Sequence, residues 1–236
     1  MWGSVVRLHP VLPRIKINIF MALIRFELAG FKIGFVRNAK CASTSSLSYI
    51  LQACGKTING IPAHSKFMEE LGEDSYIGLR KPFENYEKEL LECDLRIAVW
   101  REPVEKFLSG YAHCMAHNFI RIKNKKAGTY KVYPDDDFRT FIHNYEYLLE
   151  SNINVWDHCS PNAMKLGTDK SIYTHIYNHK EVDTHFLPLL ETWSGNTIEK
   201  QTMRPSNQNL ASIPTDRQLE KIVDIQFIDY QVGWCS

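Results

Sequence analysis

A single lysine among small residues carries the first chemistry that can be read from this chain. In "IGFVRNAKCASTSSLSYIL" (Ile33–Leu51), Lys40 precedes Cys41 and Ala42, and Ser43, Thr44 and Ser45 follow at once. The stretch reads as apolar strand, polar turn and helix. Free N–H groups and the dipole of a helix start favour an anion. Lysine adds a point charge, and hydroxyls add donors that rotate to fit. The glycines of the nucleotide-triphosphatase loop, G-x-x-x-x-G-K-[ST], are absent. A second element, "VWREPVEKFLSGY" (Val99–Tyr111), sets Arg101 eight residues before Ser109, a little over two helical turns. An arginine fork grips a phosphate by two bonds. Taken singly, the serines would be helix caps and Arg101–Glu102 a surface ion pair. Together, at two strand ends of one chain, they imply a ligand with two separated anionic groups.

The elements that must position these residues are legible in the apolar pattern. Ile33–Arg37 is a strand bounded by Gly30 and the polar turn. The helix after it takes Thr44 or Ser45 as N-cap, repeats Leu47, Ile50, Leu51 and Cys54 at helical spacing, and closes at Gly55. Leu95–Trp100 is a second strand, and Pro103 opens a helix with Val104, Phe107, Leu108 and Tyr111 on one face. Asp135–Asp137 suit a helix N-terminus. "SIYTHIYN" (171–178) is a third strand, Asp183 or Thr184 starts a short helix through Trp193, and "PTDRQLEKIVDIQFIDYQVG" is an amphipathic helix capped by Thr215 or Asp216. Strands alternating with helices predict an α/β three-layer sandwich around a parallel sheet. Residues 31–236 are expected to form one domain, with 1–30 an amphipathic segment packed on it.

Composition narrows the function classes. With 236 residues, a formal net charge of +1 and 44% hydrophobic residues, the chain has ample core and no basic surplus for general nucleic-acid binding. Six cysteines without a C-x-x-C pair read as free thiols in a reducing compartment. The apolar run Ile17–Ile24, broken by Asn18 and flanked by Arg14, Lys16 and Arg25, is far too short to span a bilayer. The expected location is the cytoplasm, with peripheral membrane contact through this basic segment as the minority option.

Four stretches resemble, in order and rough spacing, the motifs of carbohydrate sulfotransferases that use 3′-phosphoadenosine 5′-phosphosulfate. "AKCAST" (Ala39–Thr44) is similar to the family's P-K-T-A-S-T phosphosulfate loop, and "VWREPVEKFLSGY" to its V-R-D-P-x-x-R-x-x-S-x-Y element. "WDHCSPNAMKLG" resembles H-W-x-P-Q, and "QFIDYQVG" the closing Y-x-x-D-Y-x-L helix. The departures are Asn38–Ala39 without the usual proline, Cys41 for Thr or Val, and Glu102 and Lys106 for Asp and Arg. The resemblance, of the kind seen in heparan sulfate 2-O- and chondroitin or dermatan sulfotransferases, covers about Ile33 to Gly233 and implies their P-loop-like fold. It implies sulfuryl transfer to a carbohydrate hydroxyl, on a glycan, polysaccharide or glycolipid, without a metal. Lys40 would meet the 5′-phosphate and the bridging oxygen, the loop from Cys41 through Ser45 the phosphosulfate, and Arg101 and Ser109 the 3′-phosphate. Arg204 and Asn207, in "MRPSNQN", fall where relatives carry a further cofactor loop.

Proton transfer needs a base near the acceptor oxygen. His64, in "GIPAHSKF", is the first candidate and His158 the second; Glu69, Glu70 and Glu84 lie in the same region as His64. His113 and His117, four apart with Cys114 between them, would need a distant third ligand such as Cys159 to hold zinc. Trp100, Tyr111, Tyr130 and Tyr133 could stack on sugars, and the basic run Arg121–Lys131 could meet an anionic polysaccharide. Two rival readings are a binding module of the same fold without turnover and a P-loop-like kinase. The kinase would need the Gly-rich loop and a magnesium carboxylate where Arg101 stands.

Overall fold

The computed structural model describes residues 22–56, 76–77, 83, 86–116, 122–123, 130–131, 137–200 and 214–236. Strand β1 (Ala22–Leu28) turns through Ala29 and Gly30 into β2 (Phe31–Arg37), and the two pair antiparallel. Both turn residues have positive φ, 53° and 80°, the backbone hand that matches the twist of a hairpin. Residues 22–30, expected within the amphipathic segment, are therefore sheet and turn; residues 1–21 lie outside the described residues.

Helix α1 (Ser43–Ala53) follows β2 and ends as expected, with Gly55 at φ 73° just past it. Strand β3 (Tyr76–Ile77) pairs antiparallel with β1. After the short helix α2 (Glu87–Leu91), β4 (Leu95–Trp100) pairs parallel with β2, and α3 (Pro103–Ala116) begins at its proline. Strands β5 (Ile122–Lys123) and β6 (Tyr130–Lys131) form a separate two-stranded ladder. Helices α4 (Asp137–His143), α5 (Tyr145–Ser151), α6 (Ile153–Cys159) and α7 (Ala163–Leu166) follow in close succession.

Strand β7 (His175–Asn178) then pairs parallel with β4. Only the second half of the expected third strand is extended. Asp169 accepts from the Ser171 amide and turns Lys170–Ile172 into a short 3-10 helix. The helix expected from Asp183 or Thr184 through Trp193 is present, its first part a wide π-helical turn (Val182–Phe186) that runs into α8 (Leu187–Ser194). Helix α9 (Asp216–Ile225), capped by Thr215 with Gln218 completing a capping box, is separated by Gln226 from α10 (Phe227–Gln231).

The main sheet has the order β3-β1-β2-β4-β7. It is mixed: β2, β4 and β7 are parallel, with β1 and β3 added antiparallel. Alternate residues feed opposite layers. Ile33, Phe35, Ile97 and Val99 pack with Leu47, Ile50 and Leu51 of α1 and Leu187 and Leu190 of α8. Val36 and Ala98 pack the other way, with Leu90, Trp156, Leu166 and Trp234. Helices thus cover both faces, giving an α/β sandwich, and each fully buried large apolar side chain contributes about 2 kcal/mol. A third core, among α3, α4, α5, α6 and α9, is built on Phe107, Tyr111, Phe141, Tyr145 and Ile222. Within it, α3 and α6 touch backbone to backbone: a Cβ at Gly110 would collide with the His158 carbonyl. Parallel register aligns Val36 with Ala98 and Trp100 with Asn178, so three chain exits leave one edge of the sheet together.

Candidate functional site

The first exit is the loop Asn38–Ala42. Two of its residues lie in the left-handed region without being glycine, Lys40 at φ 65° and Ala42 at φ 53°. Each costs about 1 kcal/mol, so the fold around them must hold the shape. The loop thereby makes, without glycine, the sharp bends that a phosphate loop needs before a helix. Burial and then the neighbouring Arg101 cation pull the Lys40 amine below its ordinary range.

Helix α1 starts two or three residues earlier than the sequence predicts. Its N-cap is Ala42, and among the described residues no side chain caps the first turn. Ser43 and Ser45 are buried, Thr44 is half-buried, and Ser46 donates back to the Ala42 carbonyl at 3.0 Å. The serines and threonine expected to act as a cap are therefore not spent on that role. Burial pushes the Cys41 thiol up to about 11, so it stays protonated, and its sulfur lies 3.8 Å from Asn162 Oδ1.

The second exit carries Arg101. Its guanidinium Nη1 donates to the Lys40 carbonyl at 3.3 Å, tying the two strand ends together. Its Nε lies 3.4 Å from Glu105 Oε2, one turn along α3, and Ser109 stands another turn beyond, half-buried. Glu102, the acid expected beside Arg101, accepts from the amide and hydroxyl of Ser236. The third exit, after β7, brings His179 and Lys180 to the same Glu105 at 3.9 and 3.2 Å. No sequence motif pointed to them; only the sheet order places them there.

A buried polar knot holds these exits in register. Asn162, between α6 and α7, accepts from Asn38 Nδ2 at 2.8 Å and donates to the Arg101 carbonyl at 2.8 Å. Asp229 on α10 accepts from the Asn162 amide (2.7 Å), the Asn162 side chain (3.0 Å) and the Ala163 amide (2.6 Å). The two stretches that resemble the later family motifs thus meet at one point, under the loop. Below them Asp157 pairs with Lys165 at 2.8 Å and Arg37 at 3.1 Å. Burial alone would raise the Asp157 carboxyl, yet the Lys165 and Arg37 cations hold it well below the usual carboxylate range. Lys106, fully buried where the family pattern has arginine, donates to the Ser160 carbonyl.

His158 sits on α6 with Nδ1 2.8 Å from the Asn154 carbonyl, and its ring stacks on His113 at 4.3 Å. A carbonyl only accepts, so Nδ1 carries the proton and Nε2 the lone pair. Burial lowers this imidazole to about 3, leaving it neutral at pH 7. His64, Arg204 and Asn207 lie outside the described residues, as do His117, Glu69, Glu70, Glu84 and Tyr133. Among the described residues no group of three or more His, Cys, Asp or Glu is arranged to hold a metal, and no helix is long and apolar enough to cross a membrane. All six cysteines are free.

Comparisons with family models, curated proteins and solved structures find no match to this chain.

Proposed function

We propose that this protein is a sulfotransferase of the P-loop-like fold. In this reading it binds 3′-phosphoadenosine 5′-phosphosulfate across the exits of β2 and β4 and transfers the sulfuryl group to a carbohydrate hydroxyl. The observation that carries the reading is the uncapped start of α1. Its hydroxyl residues and first-turn amides stand beside Lys40 in a strained loop, with Arg101 fastened to that loop from the adjacent strand end. Two cations drawn this close, one with its amine lowered by burial and by the other, gain most from an anion between them.

The acceptor oxygen attacks sulfur in line as the bond from sulfur to the bridging oxygen breaks, releasing 3′-phosphoadenosine 5′-phosphate. Charge develops on that bridging oxygen, and Lys40 is the group assigned to neutralise it. Ser43, Thr44 and Ser45 hold the 5′-phosphosulfate oxygens, and Arg101 and Ser109 the 3′-phosphate. The acceptor proton passes to a base, for which His64 and His158 are the candidates. With its conjugate acid near 3, His158 is a far weaker base than an ordinary imidazole.

Calorimetric titration with 3′-phosphoadenosine 5′-phosphate tests the reading. Wild type should bind in the micromolar range, about −8 kcal/mol, and Lys40→Ala at least tenfold more weakly. Absence of binding overturns the assignment. Binding without transfer to any member of a broad glycan set would mark a module of the same fold without turnover.

A further inference from the structure

Glu105 occupies an unexpected place. It lies one turn beyond Arg101 and one turn before Ser109 on the same face of α3, between the two residues to which the proposed function assigns the 3′-phosphate. Its carboxylate is the meeting point of three basic side chains: Arg101 Nε at 3.4 Å, Lys180 Nζ at 3.2 Å and His179 Nε2 at 3.9 Å. Arg101 and Glu105 belong to the β4 exit, whereas His179 and Lys180 come from the β7 exit, so the cluster is made only by the parallel pairing of the two strands. We propose that Glu105 is a resident counter-anion in the site of the ligand's second phosphate, and that His179 and Lys180 are phosphate-binding residues of that site.

The chemistry favours an exchange of anions. A carboxylate carries one negative charge, while a phosphomonoester at neutral pH carries up to two and offers three acceptor oxygens. Glu105 is only partly covered, its side chain being 41% exposed, so it can swing toward solvent while the cations stay in place. Arg101 is also fixed by its bond to the Lys40 carbonyl. His179 is covered on its far side, with Nδ1 buried and without a hydrogen-bond partner among the described residues, so Nε2 is the face it presents to the cluster. Burial and the Arg101 cation lower its imidazole to about 4. At neutral pH it therefore serves as a neutral hydrogen-bonding group, and Lys180 supplies charge. Glu105 thus competes with the phosphate that the site would take, and sets a threshold that a single negative charge does not cross.

The inference rests on the proposed function, and titration of four proteins separates the two. Wild type, Glu105→Gln, Lys180→Ala and His179→Ala are each titrated with 3′-phosphoadenosine 5′-phosphate and with adenosine 5′-monophosphate, which lacks the second phosphate. Urea midpoints confirm that each variant is folded. Glu105→Gln should tighten the bisphosphate about tenfold and leave the monophosphate unchanged, as expected for removing one like charge a few ångströms away in a partly screened site. Lys180→Ala and His179→Ala should each weaken the bisphosphate several-fold. Wild type that binds while Glu105→Gln binds no tighter overturns this inference alone; so does equal tightening of both nucleotides. Failure of both to bind overturns it together with the donor assignment.

Discussion

Asp229→Asn is the substitution whose effect follows most directly from the geometry. The Asp229 carboxylate is fully buried and accepts three N–H groups at 2.6, 2.7 and 3.0 Å, from the Ala163 amide, the Asn162 amide and the Asn162 side chain. An asparagine is the same size but has one acceptor oxygen. With that oxygen facing Asn162, its NH2 group meets the Ala163 N–H donor to donor; flipped, it opposes two donors. The better arrangement loses one charge-assisted bond and orphans a buried N–H, about 3–4 kcal/mol together. Burial pushes the Asp229 carboxyl upward, so the neutral amide recovers about 1 kcal/mol of desolvation. The net expectation is about 2–3 kcal/mol, or roughly 5–10 °C in Tm for a chain of this size. Urea unfolding measures it, with an unchanged m-value expected because the exposed surface is the same. Since Asn162 also holds Asn38 and the Arg101 carbonyl, the proposed function expects affinity for 3′-phosphoadenosine 5′-phosphate to fall with stability. A loss below about 0.5 kcal/mol would show that the knot does not hold the strand exits, and the reasoning fails.

Acid should weaken the fold in two stages. His158 takes a proton near pH 3 when folded and near 6.5 when unfolded, so between these values only the unfolded chain is protonated, and stability falls by about 1.4 kcal/mol per pH unit on acidification. Asp157, held low by Lys165 and Arg37, adds to the loss below about pH 4, where its unfolded counterpart protonates. Urea midpoints from pH 7 to 3.5 follow both stages; His158→Gln should roughly halve the slope of the first and leave the share of His179, whose imidazole is lowered to about 4, and a wild-type profile flat from pH 6.5 to 4.5 would contradict it. In the hairpin, Ala29→Asn should stabilise by about 0.5–1 kcal/mol, because asparagine accepts positive φ more readily than alanine. An unchanged or lower Tm would mean that the turn is not strained at Ala29.

Much of the chain's local structure is written within a few residues of where it occurs. Leu95–Trp100 is extended over the predicted residues because six apolar or half-buried positions lie between an acidic turn and Arg101. Pro103 opens α3 because it lacks the N–H that a first turn leaves unused. Thr215 caps α9 as expected, its partner Gln218 three residues on. The misreadings are also local in origin. Ser and Thr at 43–45 are good caps by type, but positive φ at Ala42 brings the helix start forward and frees them. The apolar "SIYTHIYN" favours a strand throughout, yet the Asp169 carboxylate wins the Ser171 amide and bends the first half away.

What the sequence alone determined is the alternation of strands and helices and the two polar elements at Lys40 and Arg101, since residue type and spacing suffice for both. What only the tertiary structure decided is which distant residues share the site. Asn162 meets Asp229 across 67 positions, and His179 and Lys180 reach Glu105 across about 75, through parallel pairing and the break at Gln226. Hydrogen bonds between such residues leave no periodic trace, because each is satisfied by a single partner that the folded sheet brings near.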